Sequence, residues 1–480
     1  MSDNIAHPLN TPAAKAGGSN AALLSLAFAV LLPSLGMSIV NVALPTLASS
    51  FAASMALVNW VVIAYLLALV TFVIGAAVLG DIVGRKLLLL CGIGIFAGAS
   101  MMCAVSTNLW MLVAARLIQG LGATFILSQT LALASSVLPK TQTGSAIGLL
   151  SSTAAIGTAL GPVAGGLLLE FFGWQAMFWL LCLLAGLSFI LCARLIATDE
   201  YQSARSLKHF DITGTLLLAL SCLFYAMSVT DNGQVLPLSG PLLLLFALLL
   251  FIVFLRTQLK RQYPLIDLRF FRQHLRNLTL AAGFVVDAIA MSTLLIGPFY
   301  LTYALALSPL EVGLFMSIGP LAAACSGYPA GKLVDRLGVN NMMFFGLTLM
   351  SLGAFCFAYL PVLFGVYGYI AALLIMTPGR QFYLNANHSY VMNSVCEQDK
   401  GLASGMLNLT KNLGLMTGAA LITGVFSALL HNTTMAEASP EQLGFALNTC
   451  FTLSAAVLML LLLSIYLLHR HHHKLQQTIE

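Results

Sequence analysis

Asp287 is the one acidic residue of this 480-residue chain that falls deep inside an apolar run long enough to cross a bilayer. Nine mostly apolar residues precede it in the run 278–302, which follows an Arg-rich stretch. An ionisable group in hydrocarbon costs roughly 3 kcal/mol or more, so such groups are kept for a purpose. A carboxyl group taken out of water holds its proton at higher pH, which suits it to proton exchange near neutrality. The other reading is a structural carboxylate paired with a buried cation. Three cations stand inside apolar runs: Arg116, Arg380 and Lys411.

Helical spacing gathers further polar groups around these charges. Arg380, Tyr383 and Asn387 fall at i, i+3 and i+7 and approach one face, with Gln381 as an alternative member. Asn408, Lys411 and Asn412 form a second polar strip, and Asn41 and Gln119 sit in other apolar runs. A polar strip facing lipid is disfavoured, so these groups are expected to line a central cavity. Interhelical hydrogen bonding that only holds the bundle together is the alternative. His388 is expected at the membrane interface. The run 469–474, His-Arg-His-His-His-Lys, is expected to be a solvated basic tail.

The elements that position these groups are read from composition. The chain is 59% hydrophobic and 8% charged, against about 25% charge for a soluble protein. It is therefore expected to be an all-α polytopic membrane protein. Apolar runs near 22–44, 57–79, 87–106, 109–137, 144–169, 175–197, 212–229, 239–256, 278–303, 311–331, 341–360, 363–391, 402–429 and 445–468 predict fourteen transmembrane helices. With that count, every Lys and Arg outside the apolar runs falls on one side. The positive-inside rule then places both termini in the cytoplasm of a multi-pass inner (plasma) membrane protein. The formal charge of +5 is spread over short loops and is not a nucleic-acid footprint. Nine Cys are scattered singly with no metal-ligand spacing, so neither a disulfide framework nor a metal site is expected. No nucleophile elbow, zinc-protease motif or phosphate loop is present, which argues against an enzyme.

The chain also repeats. Asp81 and Asp335 are 254 positions apart, each following an apolar run. Gly144, Gly148, Gly157 and Gly161 match Gly401, Gly405, Gly414 and Gly418, each 257 positions on. Two related six-helix bundles are expected, at 22–197 and 278–468. An insertion of two helices (198–277) separates them, and tails at 1–21 and 469–480 flank them. Parallel repeats around a midplane site are a transporter architecture.

Gly80, Asp81, Gly84, Arg85 and Lys86 resemble the loop 2–3 signature of the major facilitator superfamily, with Ala77 where its first Gly would be. Asp335, Arg336 and Gly338 repeat the pattern after Gly331, with Val339 in place of its Arg. The segment 116–123, opening on Arg116 and containing Gln119, resembles the helix-4 motif. Gly157, Gly161, Pro162, Gly165 and Gly166 resemble the antiporter motif of helix 5. With Asn41 in the stretch 39–47 and the segment 264–272 before the ninth predicted helix, the chain is similar to the 14-helix drug:proton antiporters over nearly its whole length.

That resemblance implies the major facilitator fold, gating by the Asp81 and Asp335 segments, and a proton-coupling role for Arg116, for which a purely structural role is the alternative. It implies export of drugs or toxic small molecules in exchange for protons, driven by the proton gradient with no cofactor. Expected partners are a small-molecule substrate, protons and the lipid bilayer; protein partners are left open. One position departs. The family's helix-1 acid is Gly36 here. Aligning Pro45 with Pro298 sets Asp287 opposite Ser34, so the acid is expected to have moved to the second bundle. One acid against three cations also raises an alternative, a dedicated exporter of an endogenous anionic metabolite or siderophore.

Overall fold

In a bilayer every backbone N–H and C=O must be satisfied within the segment, so long apolar runs become helices. The computed structural model describes residues 16–479 except 138–142, 198–210, 231–237, 262–263, 267–269, 272, 397–399 and 431–437. The loop cations Lys15, Lys140, Arg205, Lys208, Arg269 and Arg272 lie outside the described residues, as do the side chains of 469–474. Among the described residues there is no strand.

The first group of helices is α1 (Ala16–Ser50), the single turn α2 (Met55–Val58), α3 (Trp60–Val83), α4 (Arg85–Ala104), α5 (Leu109–Val137), α6 (Thr143–Phe172) and α7 (Trp174–Leu195). Next come α8 (Ile212–Thr230) and α9 (Gly240–Lys260), which pack on each other, with α8 also resting on α3. The second group is α10 (His274–Phe299), α11 (Pro309–Leu337), α12 (Val339–Asn393), α13 (Lys400–Leu429) and α14 (Pro440–Ile479). Pro298 removes a backbone donor at the end of α10, and a π turn, Tyr300–Ala304, follows it.

Thirteen helices among the described residues are long and apolar enough to cross a membrane. The longest, α12, has 55 residues and is not one rod. Gly365 has φ 55 and ψ −130, which only glycine adopts readily, and the chain reverses there. Gly346 lies against Tyr383, and Gly379 against Met350, so the two arms run antiparallel in close contact. These arms correspond to the predicted runs 341–360 and 363–391.

One expectation is corrected. Asp81 and Asp335 are not in loops. They occupy the last turns of α3 and α11, and each following connection is a single glycine, Gly84 (φ 104) or Gly338 (φ 84). The reason is that a positive-φ residue turns the chain in one step, which leaves no loop to form. Residues 469–479 of the expected tail continue α14 as helix.

The internal repeat is visible in the packing. On α6, Gly157 meets Leu31 and Ser34 of α1. On α13, Gly414 meets Phe284 and Asp287 of α10. Leu31 and Phe284 are 253 positions apart, and so are Ser34 and Asp287. The equivalence drawn from Pro45 and Pro298 therefore holds in three dimensions. The ends of the helices carrying Gly84 and Gly338 are called the charged end below, and the opposite ends the far end.

Candidate coupling site and transport pathway

Asp287 is held at its depth by α10 and pressed from one side by Gly414, where an added Cβ would lie 3.1 Å from the Asp287 Cβ. It is 2% exposed. Its partner is Arg380, on the second arm of α12. Arg380 Nε donates to Asp287 Oδ1 at 3.2 Å, and Nη2 makes a second, very short bond to the same oxygen. A guanidinium matches a carboxylate in this way because it offers several donors in one plane. Further along the same arm, Tyr383 Oη donates to the Thr279 carbonyl at 3.1 Å, and Asn387 packs on Gly283. Thr279, Gly283 and Asp287 are each four residues apart, so this arm reads one stripe of α10.

Lys411 lies one turn before Gly414 on α13 and is exposed. It stands within electrostatic reach of Asp287 and Arg380, and it forms no ion pair among the described residues. His388, expected at the membrane interface, is exposed, lies eight residues from Arg380 on the same arm, and stands within electrostatic reach of Lys411, Asp287 and Arg380.

Arg116 does not join this cluster. It is fully buried within the first group, where Nε donates to the Val61 carbonyl at 3.1 Å and Nη1 to the Gly36 carbonyl at 3.1 Å. Nη1 also donates to Gln119 Oε1 at 2.5 Å, and Gln119 Nε2 donates to Ser100 Oγ at 2.7 Å. The Arg116 guanidinium carbon sits 4.3 Å from the centre of the Tyr65 ring, while Nη2 has no hydrogen-bond acceptor. The charge is thus held by carbonyls and a ring face, with no carboxylate. Arg116→Ala is expected to strand both carbonyls and cost about 3 kcal/mol, from roughly 1–3 kcal/mol per buried group left unpaired. Thermal unfolding of the purified protein checks this.

The expected cavity residues therefore divide. Asn41, Gln119, Tyr383 and Asn387 are buried, so in this conformation they do not line open space. Polar groups inside a helix bundle find partners on neighbouring helices more readily than water, as Tyr383 does at the Thr279 carbonyl and Gln119 at Ser100 Oγ. Asn408 is exposed and bonds to Ser404 of its own helix, and Asn412 is half-buried. Of the candidates near Asp287, only Arg380 and Lys411 combine charge with access.

The gating residues are also asymmetric. Asp81 pairs with Arg85 at 3.0 Å across the Gly84 turn, and Arg85 donates to the Ala132 carbonyl of α5. Lys86 donates to the carbonyls of Ala193 and Ile196, at the end of α7. These bonds tie α3, α4, α5 and α7 together within one group. Asp335 and Arg336 are exposed and form no ion pair among the described residues.

The antiporter-like glycines have two faces. Gly157, Gly161 and Gly165 receive α1, at Leu31, Ser38 and Ile39. Gly166 and the Pro162 carbonyl receive α11 of the other group, at Pro309, Leu310 and Gly313. Glu170, one turn on, accepts the Leu310 N–H at 2.9 Å, and Tyr303 Oη donates to the Pro45 carbonyl at 3.3 Å. These contacts close the two groups on each other at the far end. Glu170 had no signal in the sequence, since its partner is a backbone group 140 positions away.

The model of the Major Facilitator Superfamily matches residues 26–419. The riboflavin transporter RibZ of Clostridioides difficile is 29% identical over 441 residues, which is 89% of this chain and 94% of that protein. The multidrug resistance protein Stp of Mycobacterium tuberculosis is 30% identical over 404 residues, 82% of this chain and 73% of that protein. A crystal structure of the nucleoside transporter NupG matches with a TM-score of 0.65 at 14% identity, covering 92% of this chain and 99% of that one. That last likeness speaks for the fold.

Proposed function

The chain belongs to the major facilitator superfamily and is a multi-pass membrane transporter rather than an enzyme, and from that premise we propose that it exports drugs or other toxic small molecules across the inner membrane in exchange for protons. The observation that carries this reading is Asp287, an acid at membrane depth whose ion pair with Arg380 gives a proton something to break. The name of Stp supports a drug-like substrate, and that of RibZ supports a small organic one.

Counting the arms of α12 separately gives fourteen passes, with both termini in the cytoplasm under the positive-inside rule. Helices 22–197 and 278–468 act as two rocking bundles, and 198–277 is carried between them. In the conformation closed at the far end, substrate enters from the charged, cytoplasmic end. Rocking opens the far end and releases it. A proton taken up there by Asp287 frees Arg380 and resets the carrier, and its release inside restores the pair. The segments around Asp81 and Asp335 gate the cytoplasmic end. No cofactor takes part; the proton gradient is the drive. An exporter dedicated to an endogenous anionic metabolite or siderophore is the second reading, favoured by Lys411, which forms no ion pair among the described residues.

The test is dye efflux from an efflux-deficient bacterial host, run with the cationic dye ethidium and the anionic dye fluorescein. Cells expressing the protein are expected to extrude at least one of the two dyes and to stop when an uncoupler is added. In acid-loaded inverted vesicles, adding the transported dye is expected to dissipate the pH gradient. Efflux that persists without a proton gradient would rule out the coupling.

A further inference from the structure

We propose that Lys411 is the docking point for an anionic group on the transported molecule, and that the substrate class is the organic anion. This rests on the transporter reading and narrows it. The first observation is the charge left over at the site. Asp287 and Arg380 neutralise each other. Arg116 is sealed among carbonyls of the first group and meets nothing that enters. Lys411 apart, each other cation with a described side chain lies within the first or last two turns of its helix or outside a helix. Among the described residues, Lys411 alone is a cation that forms no ion pair, is exposed, and stands one turn from Gly414, which touches Asp287.

The second observation is the neighbourhood. Asn408, one turn earlier on α13, and His388 on the second arm of α12 are exposed, and His388 lies within electrostatic reach of Lys411. Asn408 thus offers an amide one turn from the ammonium. A cation at membrane depth with no partner is costly, and an incoming anion removes that cost. A cationic substrate meets the opposite condition, because the single acid is already held by Arg380 and the free charge repels it. While the anion is held at Lys411, Asp287 stays paired with Arg380, so the loaded carrier carries no proton.

The experiment uses two xanthene dyes of similar shape and opposite charge, fluorescein as the anion and rhodamine 123 as the cation. Binding to the purified full-length protein in lipid nanodiscs is measured by fluorescence anisotropy, with no gradient present. Wild type is expected to bind fluorescein more tightly than rhodamine 123. Lys411→Gln is expected to weaken fluorescein binding about tenfold or more, as expected when one partner of a desolvated charge pair is removed. Lys411→Arg keeps it. Lys411 makes no structural ion pair, so size-exclusion profiles of both variants are expected to match wild type. Fluorescein that fails to bind wild type, or binds Lys411→Gln as well as wild type, overturns the proposal, as does tighter binding of rhodamine 123. None of these results depends on proton coupling, whose failure is read separately in the uncoupler assay.

Discussion

Asp287→Asn is expected to reduce uncoupler-sensitive efflux to the level of cells without the protein, a loss of about tenfold or more. Asparagine keeps the shape of the side chain and can still accept a bond from Arg380. It cannot take up and release a proton, so no step can be driven by the gradient. The same substitution leaves Arg380 without its counter-charge. Arg380 is 21% exposed and can turn its guanidinium toward open space, which limits the damage. Arg380→Ala is the harsher change, because it strands a carboxylate that is 2% exposed. Removing one partner of such a pair costs about 3–5 kcal/mol, whereas replacing both is often near neutral. Thermal unfolding is therefore expected to rank Arg380→Ala lowest, with the double variant Asp287→Asn, Arg380→Gln well above it. Transport is expected to be absent from all three. Proton-driven efflux retained by Asp287→Asn would remove the coupling role from this residue.

The second large effect belongs to the far end. A Cβ on Gly166 would lie 2.5 Å from the Pro309 carbonyl oxygen and 3.1 Å from the Leu310 Cα. Those are backbone atoms of the other helix group, which cannot rotate aside as a side chain does. Gly166→Val is expected to hold α6 and α11 apart and so to block far-end closure. Efflux should fall about tenfold or more while the protein still inserts and purifies, since the packing of α6 on α1 uses Gly157, Gly161 and Gly165. Gly98→Ala is the control, because nothing lies within 4 Å of its Cβ position. In a cysteine-free background, Thr46→Cys next to Pro45 should label faster with an impermeant maleimide in the Gly166→Val protein. Unchanged labelling together with wild-type efflux would mean that the far end closes elsewhere.

The sequence made the helices and the repeat legible for simple reasons. Apolar length decides what spans a membrane, and the segregation of Lys and Arg checks the count. Asp287 stood out because acids at depth are rare, and its equivalence to Ser34 followed from two prolines. What the sequence did not disclose was which polar groups meet. Arg116, Arg380 and Lys411 were equal candidates as partners for Asp287, because helical spacing orders residues along one helix and says nothing of azimuth between helices. Gln119, Tyr383 and Asn387 were assigned to a cavity on polarity alone. Polarity does not distinguish a group facing water from one that donates to a neighbouring helix. Glu170 was invisible because it recognises backbone, which every residue carries.

The two halves can be compared as relatives that have diverged. In each, the fourth long helix presents a guanidinium to the first: Arg116 from α5 to α1, and Arg380 from the second arm of α12 to α10. In one half the recipient is the carbonyl of Gly36, and in the other it is the carboxylate of Asp287. A carbonyl has no second charge state, so the first contact is fixed, whereas a carboxylate can be neutralised by one proton. A duplicated ancestor would thus have divided its labour, with one copy of the contact kept as a rivet and the other as a switch.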